Sequence, residues 1–156
     1  MPIKKLRAFL DENDVKYVVI SHSRAFTAQE VAASAHIPGR EVAKVVMIKV
    51  DGDMAMAVLP ASFHVDFEML QMAIGTTDVA LATEDEFKDL FTQSDTGAMP
   101  PFGNLYDMKT YVAEALAEDE EIAFNAGSHT ELVRIAYQDF ERLAQPTILR
   151  FAEKDG

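Results

Sequence analysis

Three places in this 156-residue chain gather side chains whose types and spacing suit chemistry. The first is Lys44, the first charged residue of the apolar run Ala43-Lys44-Val45-Val46-Met47-Ile48, which ends at Lys49. An ammonium at the start of a buried strand is costly unless it has work or a partner. The plainer alternative is that its stem snorkels and the charge reaches water. The second place is Gly97-Ala98-Met99-Pro100-Pro101-Phe102-Gly103-Asn104, which holds two of the seven glycines and two of the six prolines. Glycine opens backbone angles closed to other residues, and proline fixes φ and carries no N–H. Such a loop can turn its free N–H groups toward an oxygen-rich ligand. It can equally be an ordinary turn between two elements. The third place, Asn125-Ala126-Gly127-Ser128-His129, gathers donors and acceptors around a glycine at one strand end. Its alternative is a polar turn in which Ser128 and Thr130 bond local N–H groups.

Other chemistries fit poorly. His22, His36, His64 and His129 share no ligand spacing, so no metal site is expected. There are no cysteines, hence no disulfide, thiol nucleophile or thiolate ligand. No glycine-rich phosphate loop occurs, and Ser128 lacks a nucleophile elbow. The methionines at 47, 54, 56, 69 and 72 read as core filler. Met47 is also the strand residue placed to line a pocket beside the 97–104 loop.

The elements that must position these residues follow from periodicity. Ile3, Leu6, Phe9 and Leu10 predict a helix over 3–13. Tyr17–Ile20 predicts a strand, and Thr27 with Glu30 forms a capping box that opens a helix over 28–35. Residues 43–50 are the strongest strand. Asp51-Gly52-Asp53 turns it into a returning strand over 54–59, and this hairpin should lie at the sheet's centre. A helix over 66–74 capped by Gly75, a strand at 79–81, and a second capping box at Thr83 opening a helix through Phe91 follow. Beyond the loop, 105–112 is extended in part and 114–121 is a solvated turn or short helix. Strands are expected at 121–125, 130–136 and 147–151, with a helix at 137–143 between the last two. The mixture predicts one α/β (α+β-like) domain over 1–156 with a mixed sheet and short helices.

Composition narrows the partners. The hydrophobic fraction of 49% supports a folded core, and no apolar run approaches membrane-spanning length. No apolar signal block stands at the N-terminus, so a cytoplasmic protein is expected. The net charge of −12 repels phosphate backbones, so any RNA contact should be small, local and carried by a few cations.

Lys44 in Ala43-Lys44-Val45-Val46, the 97–103 loop and the Asn125–His129 turn together resemble the YbaK / prolyl-tRNA synthetase-associated editing-domain family. The likeness runs over nearly the whole chain and includes Leu59-Pro60-Ala61-Ser62, Ala82–Glu86 and Asp139–Leu143. It implies a curved mixed sheet flanked by helices. It also implies cofactor-free, metal-independent hydrolysis of the ester joining a wrong amino acid to tRNA, tRNA-Pro carrying alanine or cysteine being the first expectation. By resemblance Lys44, Gly97 and His129 are catalytic. The substrate contacts are Ala98, Met99, Pro100, Pro101, Phe102 and Gly103 of the loop, Asn125, Gly127 and Ser128 of the turn, and Met47. The partner implied is the acceptor end of tRNA, with a prolyl-tRNA synthetase as a possible second partner. An aminoacyl ester is already activated, so such a site needs a held substrate, a positioned water and donors for the oxyanion. Two other classes compete: a non-catalytic module that binds aminoacyl-adenosine or a protein, and a hydrolase of small acyl esters.

Overall fold

The computed structural model describes residues 3–23, 27–91, 94 and 98–155. Helix α1 (Lys4–Glu12) buries Leu6 and Leu10, one turn apart. Strand β1 (Val18–Ser21) follows, then α2 (Ala28–Ala35), opened by the expected capping box: Glu30 N–H donates to Thr27 Oγ1 and Thr27 N–H donates to Glu30 Oε1, each at 3.1 Å. Strands β2 (Val42–Val50) and β3 (Asp53–Pro60) form the hairpin, and Asp51 and Gly52 both take positive φ, as a two-residue hairpin turn requires. Next come β4 (Phe63–Val65), α3 (Phe67–Ile74) capped by Gly75, β5 (Val79–Leu81) and α4 (Glu84–Phe87). The chain continues through β6 (Lys109–Ala113), α5 (Glu114–Ala117), β7 (Glu121–Asn125), β8 (Glu131–Ala136), α6 (Tyr137–Ala144), β9 (Thr147–Leu149) and β10 (Ala152–Lys154).

The main sheet runs β1-β8-β7-β2-β3-β6-β9, so the hairpin does lie at its centre. Parallel pairs (β7–β2, β3–β6, β6–β9) are mixed with antiparallel ones. The edge of β2 that faces away from β3 is shared. Val42 and Ala43 pair with β7, whereas Ile48–Val50 pair with β5. The sheet therefore forks along β2, and Lys44 stands at the fork. One face packs on α1 and α6 through Leu6, Leu10, Phe124, Phe140 and Leu143. The other packs on α2 through Val31, Ala32, Val42, Ala61, Ala123 and Leu132, and on α3 through Leu70 and its neighbours.

One expectation changes. The helix opened at Thr83 stops at Phe87 and passes into a 3-10 turn over Lys88–Leu90. The stretch before β6 is also a 3-10 turn, Gly103–Tyr106. The short strands β4 and β10 pair with each other outside the main sheet. At three residues each they are too brief to show alternation in the sequence.

Candidate active site

Alternation along β2 sends Ala43, Val45 and Met47 to the α1/α6 face and Val42 and Lys44 to the α2 face. The parallel register Ala43↔Phe124 puts Lys44 beside Asn125 of β7 on that second face. Asn125 in turn lies opposite Leu132 of β8. Lys44 thus continues the apolar patch beneath α2 into a polar zone.

Lys44 lines an open depression of about 310 Å³ with Thr27, Ala28, Gln29 and Ala61. Its ammonium is half-buried and donates to the Ala61 carbonyl at 3.4 Å, a long bond. Burial pushes its pKa below the ordinary lysine range, and the Asp155 carboxylate partly opposes that. Asp155 is held in place on both sides: Gln29 Nε2 donates to its Oδ2 at 2.7 Å, and His64 Nδ1 lies 2.8 Å from its Oδ1. Its own N–H donates to the Ser62 carbonyl, so the β4–β10 ribbon sets the carboxylate beside the start of α2. The positive end of the α2 dipole faces the same depression. A lysine and a helix N-terminus together suit an anionic or oxygen-rich group.

The turn after β7 closes the other side. Gly127 takes φ +99°, and a side chain there would collide with Ile3, so glycine is required on both counts. Its N–H donates to the Ala98 carbonyl at 2.9 Å, tying the turn to the 98–103 segment. Ser128 Oγ lies 3.4 Å from Thr130 Oγ1 and accepts from the Thr130 N–H, as the local-bonding reading of this turn anticipated. Asn125 Oδ1 is buried with no hydrogen-bond partner among the described residues. His129 is buried, at 7% exposure, within the turn.

The 97–104 loop is placed differently from expectation. Gly97 lies outside the described residues. Ala98, Met99, Pro100, Pro101, Phe102 and Gly103 are all buried. Phe102 is a centre of the core, its ring 5.5 Å from those of Phe9, Phe124 and Phe140. Gly103 N–H donates to Thr110 Oγ1 at 2.9 Å, and the Phe102 N–H donates to the Pro100 carbonyl. Prolines 100 and 101 carry no N–H, and those of Phe102 and Gly103 are already engaged, so none of these four is free to donate to an oxyanion. Gly127 N–H is likewise engaged. Met47 is buried in the α1/α6 core, on the face opposite Lys44. Phe102, Gly103 and Met47 therefore support the site from within rather than line it. The physical reason is that apolar bulk and strand parity carry these side chains into the core, which a loop reading of the sequence does not register.

A larger cavity, about 590 Å³, lies elsewhere, at the turn end of the β2–β3 hairpin near Asp51, Asp53 and Tyr106. Its size does not make it the site: the smaller depression holds the half-buried ammonium and the helix start. No group of three or more side chains suited to hold a metal occurs among the described residues.

A separate carboxyl is perturbed. Burial, then the neighbouring Glu41 and Glu118 carboxylates, raise Asp119 to about 6, and Arg40 only partly offsets them. The folded state then binds a proton that the unfolded chain has already released, so stability falls as pH rises from about 4 to 6. Asp119→Asn should raise Tm by a few degrees at pH 8, on the order of 1 kcal/mol after screening, and by nothing near pH 3.5. Thermal melts of both proteins at the two pH values check this.

A family model described as an aminoacyl-tRNA editing domain matches residues 22–143. The chain belongs to that family. The match spans α2, the fork at Lys44, the 97–104 loop and the Asn125–His129 turn. Membership makes hydrolysis of aminoacyl-tRNA esters its chemistry, and the earlier resemblance stands. The chain is 29% identical over 153 residues to the Escherichia coli K12 protein named multifunctional Ser/Thr-tRNA deacylase ProXp-y, covering 95% of this chain and 91% of that one. A solved structure described as a candidate trans-editing enzyme for prolyl tRNA synthetase superposes with a TM-score of 0.79 at 18% identity, covering 98% of this chain and 96% of that one. The hypothetical protein APE2540 superposes at 0.84 with 16% identity, covering 96% and 100%. Both show the same fold as this member of the editing family. Its described residues contain no helix long and apolar enough to cross a membrane.

Reasoning from sequence missed Asp155 and Gln29 as neighbours of Lys44. Gln29 lies inside the Thr27–Glu30 capping box, which marks the helix start that borders Lys44. Asp155 had no such signal, because β10 is too short to read.

Proposed function

We propose that the chain is a free-standing deacylase that clears small, wrongly attached amino acids from tRNA, with seryl and threonyl esters as its first substrates. The observation that carries this is the half-buried Lys44 ammonium at the fork, facing the start of α2 and flanked by Asn125. Lys44 acts as a point charge that holds the terminal adenosine through a phosphate or ribose oxygen. Asn125, Ser128 and Thr130 offer acceptors and hydroxyls for the aminoacyl group. Water adds to the ester carbonyl, the ribose oxygen leaves with one of the water's protons, and the amino acid departs as carboxylate while the other proton passes to solvent. His129 lies near the turn as a group that orients the water, and Gly97 remains the loop's proposed oxyanion donor.

The choice of serine and threonine rests on the name of the Escherichia coli relative and on this polar lining. The prolyl description of the solved neighbour supports a second reading, alanyl- or cysteinyl-tRNA-Pro, with a prolyl-tRNA synthetase as partner. Deacylation of a panel of seryl-, threonyl-, alanyl- and cysteinyl-tRNAs, with and without added synthetase, separates the two. Clearance of the seryl and threonyl esters without synthetase is the expected result. Clearance of alanyl- or cysteinyl-tRNA-Pro alone favours the second reading. Inactivity on all four overturns both and leaves a binding module.

A further inference from the structure

We propose that Gln29 selects hydroxyl-bearing amino acids at this site: its amide oxygen accepts a hydrogen bond from the seryl or threonyl hydroxyl, and Asp155 holds the amide in place. The proposal deepens the deacylase reading and rests on it for the substrate, but the residue and its polarity come from the structure. Gln29 is exposed in the first turn of α2 and lines the Lys44 depression, so a ligand that fills the depression meets it. The other lining residues leave it this task. Ala28 and Ala61 have no polar side-chain atom, and the Thr27 oxygen accepts the cap bond from the Glu30 N–H. The Lys44 ammonium only donates. Gln29 is the remaining side chain there that presents an acceptor.

The amide is fixed from behind. Its nitrogen donates to Asp155 Oδ2 at 2.7 Å. A carboxylate only accepts, so the nitrogen faces Asp155 and Oε1 is the end left for a ligand. Asp155 is itself anchored: His64 Nδ1 lies 2.8 Å from its Oδ1, and its N–H donates to the Ser62 carbonyl at 2.9 Å. An exposed glutamine ordinarily rotates freely, and immobilising it on binding weakens affinity. Here the β4–β10 ribbon holds the side chain before the substrate arrives. Donation to an anion also polarises the amide and strengthens Oε1 as an acceptor. The Lys44 ammonium repels a second ammonium, so the donor that suits this position is a hydroxyl rather than the substrate's amino group.

The test compares kcat/KM on seryl and alanyl esters of one tRNA for wild type, Gln29→Ala, Asp155→Ala and the double variant. Alanine is the best helix former, so Gln29→Ala keeps α2. Wild type should favour the seryl ester, and Gln29→Ala should lower the seryl-to-alanyl ratio by about tenfold. The site is open, so water satisfies Oε1 when the alanyl ester binds and the discrimination stays modest. Asp155→Ala should lower the same ratio by part of that amount, and by nothing further once Gln29 is gone. The ratio is the readout because a loss of fold, or a change at Lys44, lowers both esters together. An unchanged ratio in Gln29→Ala overturns the proposal. An Asp155→Ala protein with the wild-type ratio, or an Asp155 effect that persists without Gln29, overturns the role of Asp155. Wild type that hydrolyses the esters without preferring the seryl one overturns the proposal and leaves the deacylase reading standing. Wild type inactive on both overturns the deacylase reading instead. Binding of non-hydrolysable 3′-serylamido- and 3′-alanylamido-adenosine then decides the role of Gln29: a seryl preference that Gln29→Ala removes supports it, and a preference that is absent or survives overturns it.

Discussion

Lys44→Ala loses turnover by about 10²- to 10³-fold, the usual effect of deleting one fixed electrostatic contact to the reacting end of a substrate. The same substitution leaves the fold intact. The ammonium makes one long hydrogen bond, to the Ala61 carbonyl, and no close ion pair with a described residue. Burial disfavours its charged form. A lysine whose folded-state pKa is lowered is bound to its proton more tightly in the unfolded chain. Its charge therefore costs stability at neutral pH, and that cost fades as pH rises through the folded value and then the ordinary 10.5. Lys44→Met, which keeps the stem and removes the charge, should melt at or above the wild-type temperature at pH 7, with the difference closing above pH 11. Thermal melts together with deacylation of the preferred ester check both halves. A folded Lys44→Ala protein with wild-type turnover would remove Lys44 from the reaction. A large drop in Tm for Lys44→Met would mean that the charge is stabilising, contrary to its burial.

Phe102→Ala should give the largest loss of stability in the chain, about 3–5 kcal/mol, or roughly 10 °C in Tm. The ring is wholly buried and meets three other phenylalanine rings, edge-on or tilted, on α1, β7 and α6. Each such pair adds about 0.5–1.5 kcal/mol beyond area burial. No single neighbour can collapse into the space, because the four rings come from separate elements. Phe102→Leu retains most of the bulk and should leave KM near wild type. Urea denaturation gives the first quantity and steady-state deacylation the second. A strong rise in KM for the leucine variant would restore Phe102 to the substrate's contacts and refute its placement in the core.

Much of this fold is legible in the sequence because local signals are strong. The Thr27 capping box, the Asp51-Gly52 turn and the Gly75 cap each specify a backbone geometry within a few residues. The helix at 28–35 and the hairpin formed where such signals fix both ends. The helix opened at Thr83 began as expected, but with no stop signal its end at Phe87 was set by Phe87 and Phe91 packing near Tyr106. For the site, Lys44 and Asn125 were identified by residue type, and the structure brings them side by side. Phe102 lies in the core because its apolar ring is buried from a loop whose side chains carry no periodicity, and Met47 does so because the parity of β2 turns it to the face opposite Lys44. The Asp155 contact joins Gln29 to a residue 126 positions away, and no local pattern carries that information.

The parallel pairing of β2 with β7 also has a kinetic consequence. Lys44 and Asn125 are adjacent in space but about 80 residues apart along the chain. The β2–β3 hairpin can form early from local contacts. Joining β7 to it closes a long loop, at an entropic cost of roughly 4 kcal/mol. Such non-local pairings form slowly. Catalytic competence should therefore arrive in one late step of folding, after most helical structure is in place. A nascent or truncated chain that lacks β7 would have the lysine but not Asn125 beside it. Refolding followed by activity should lag behind refolding followed by far-ultraviolet circular dichroism.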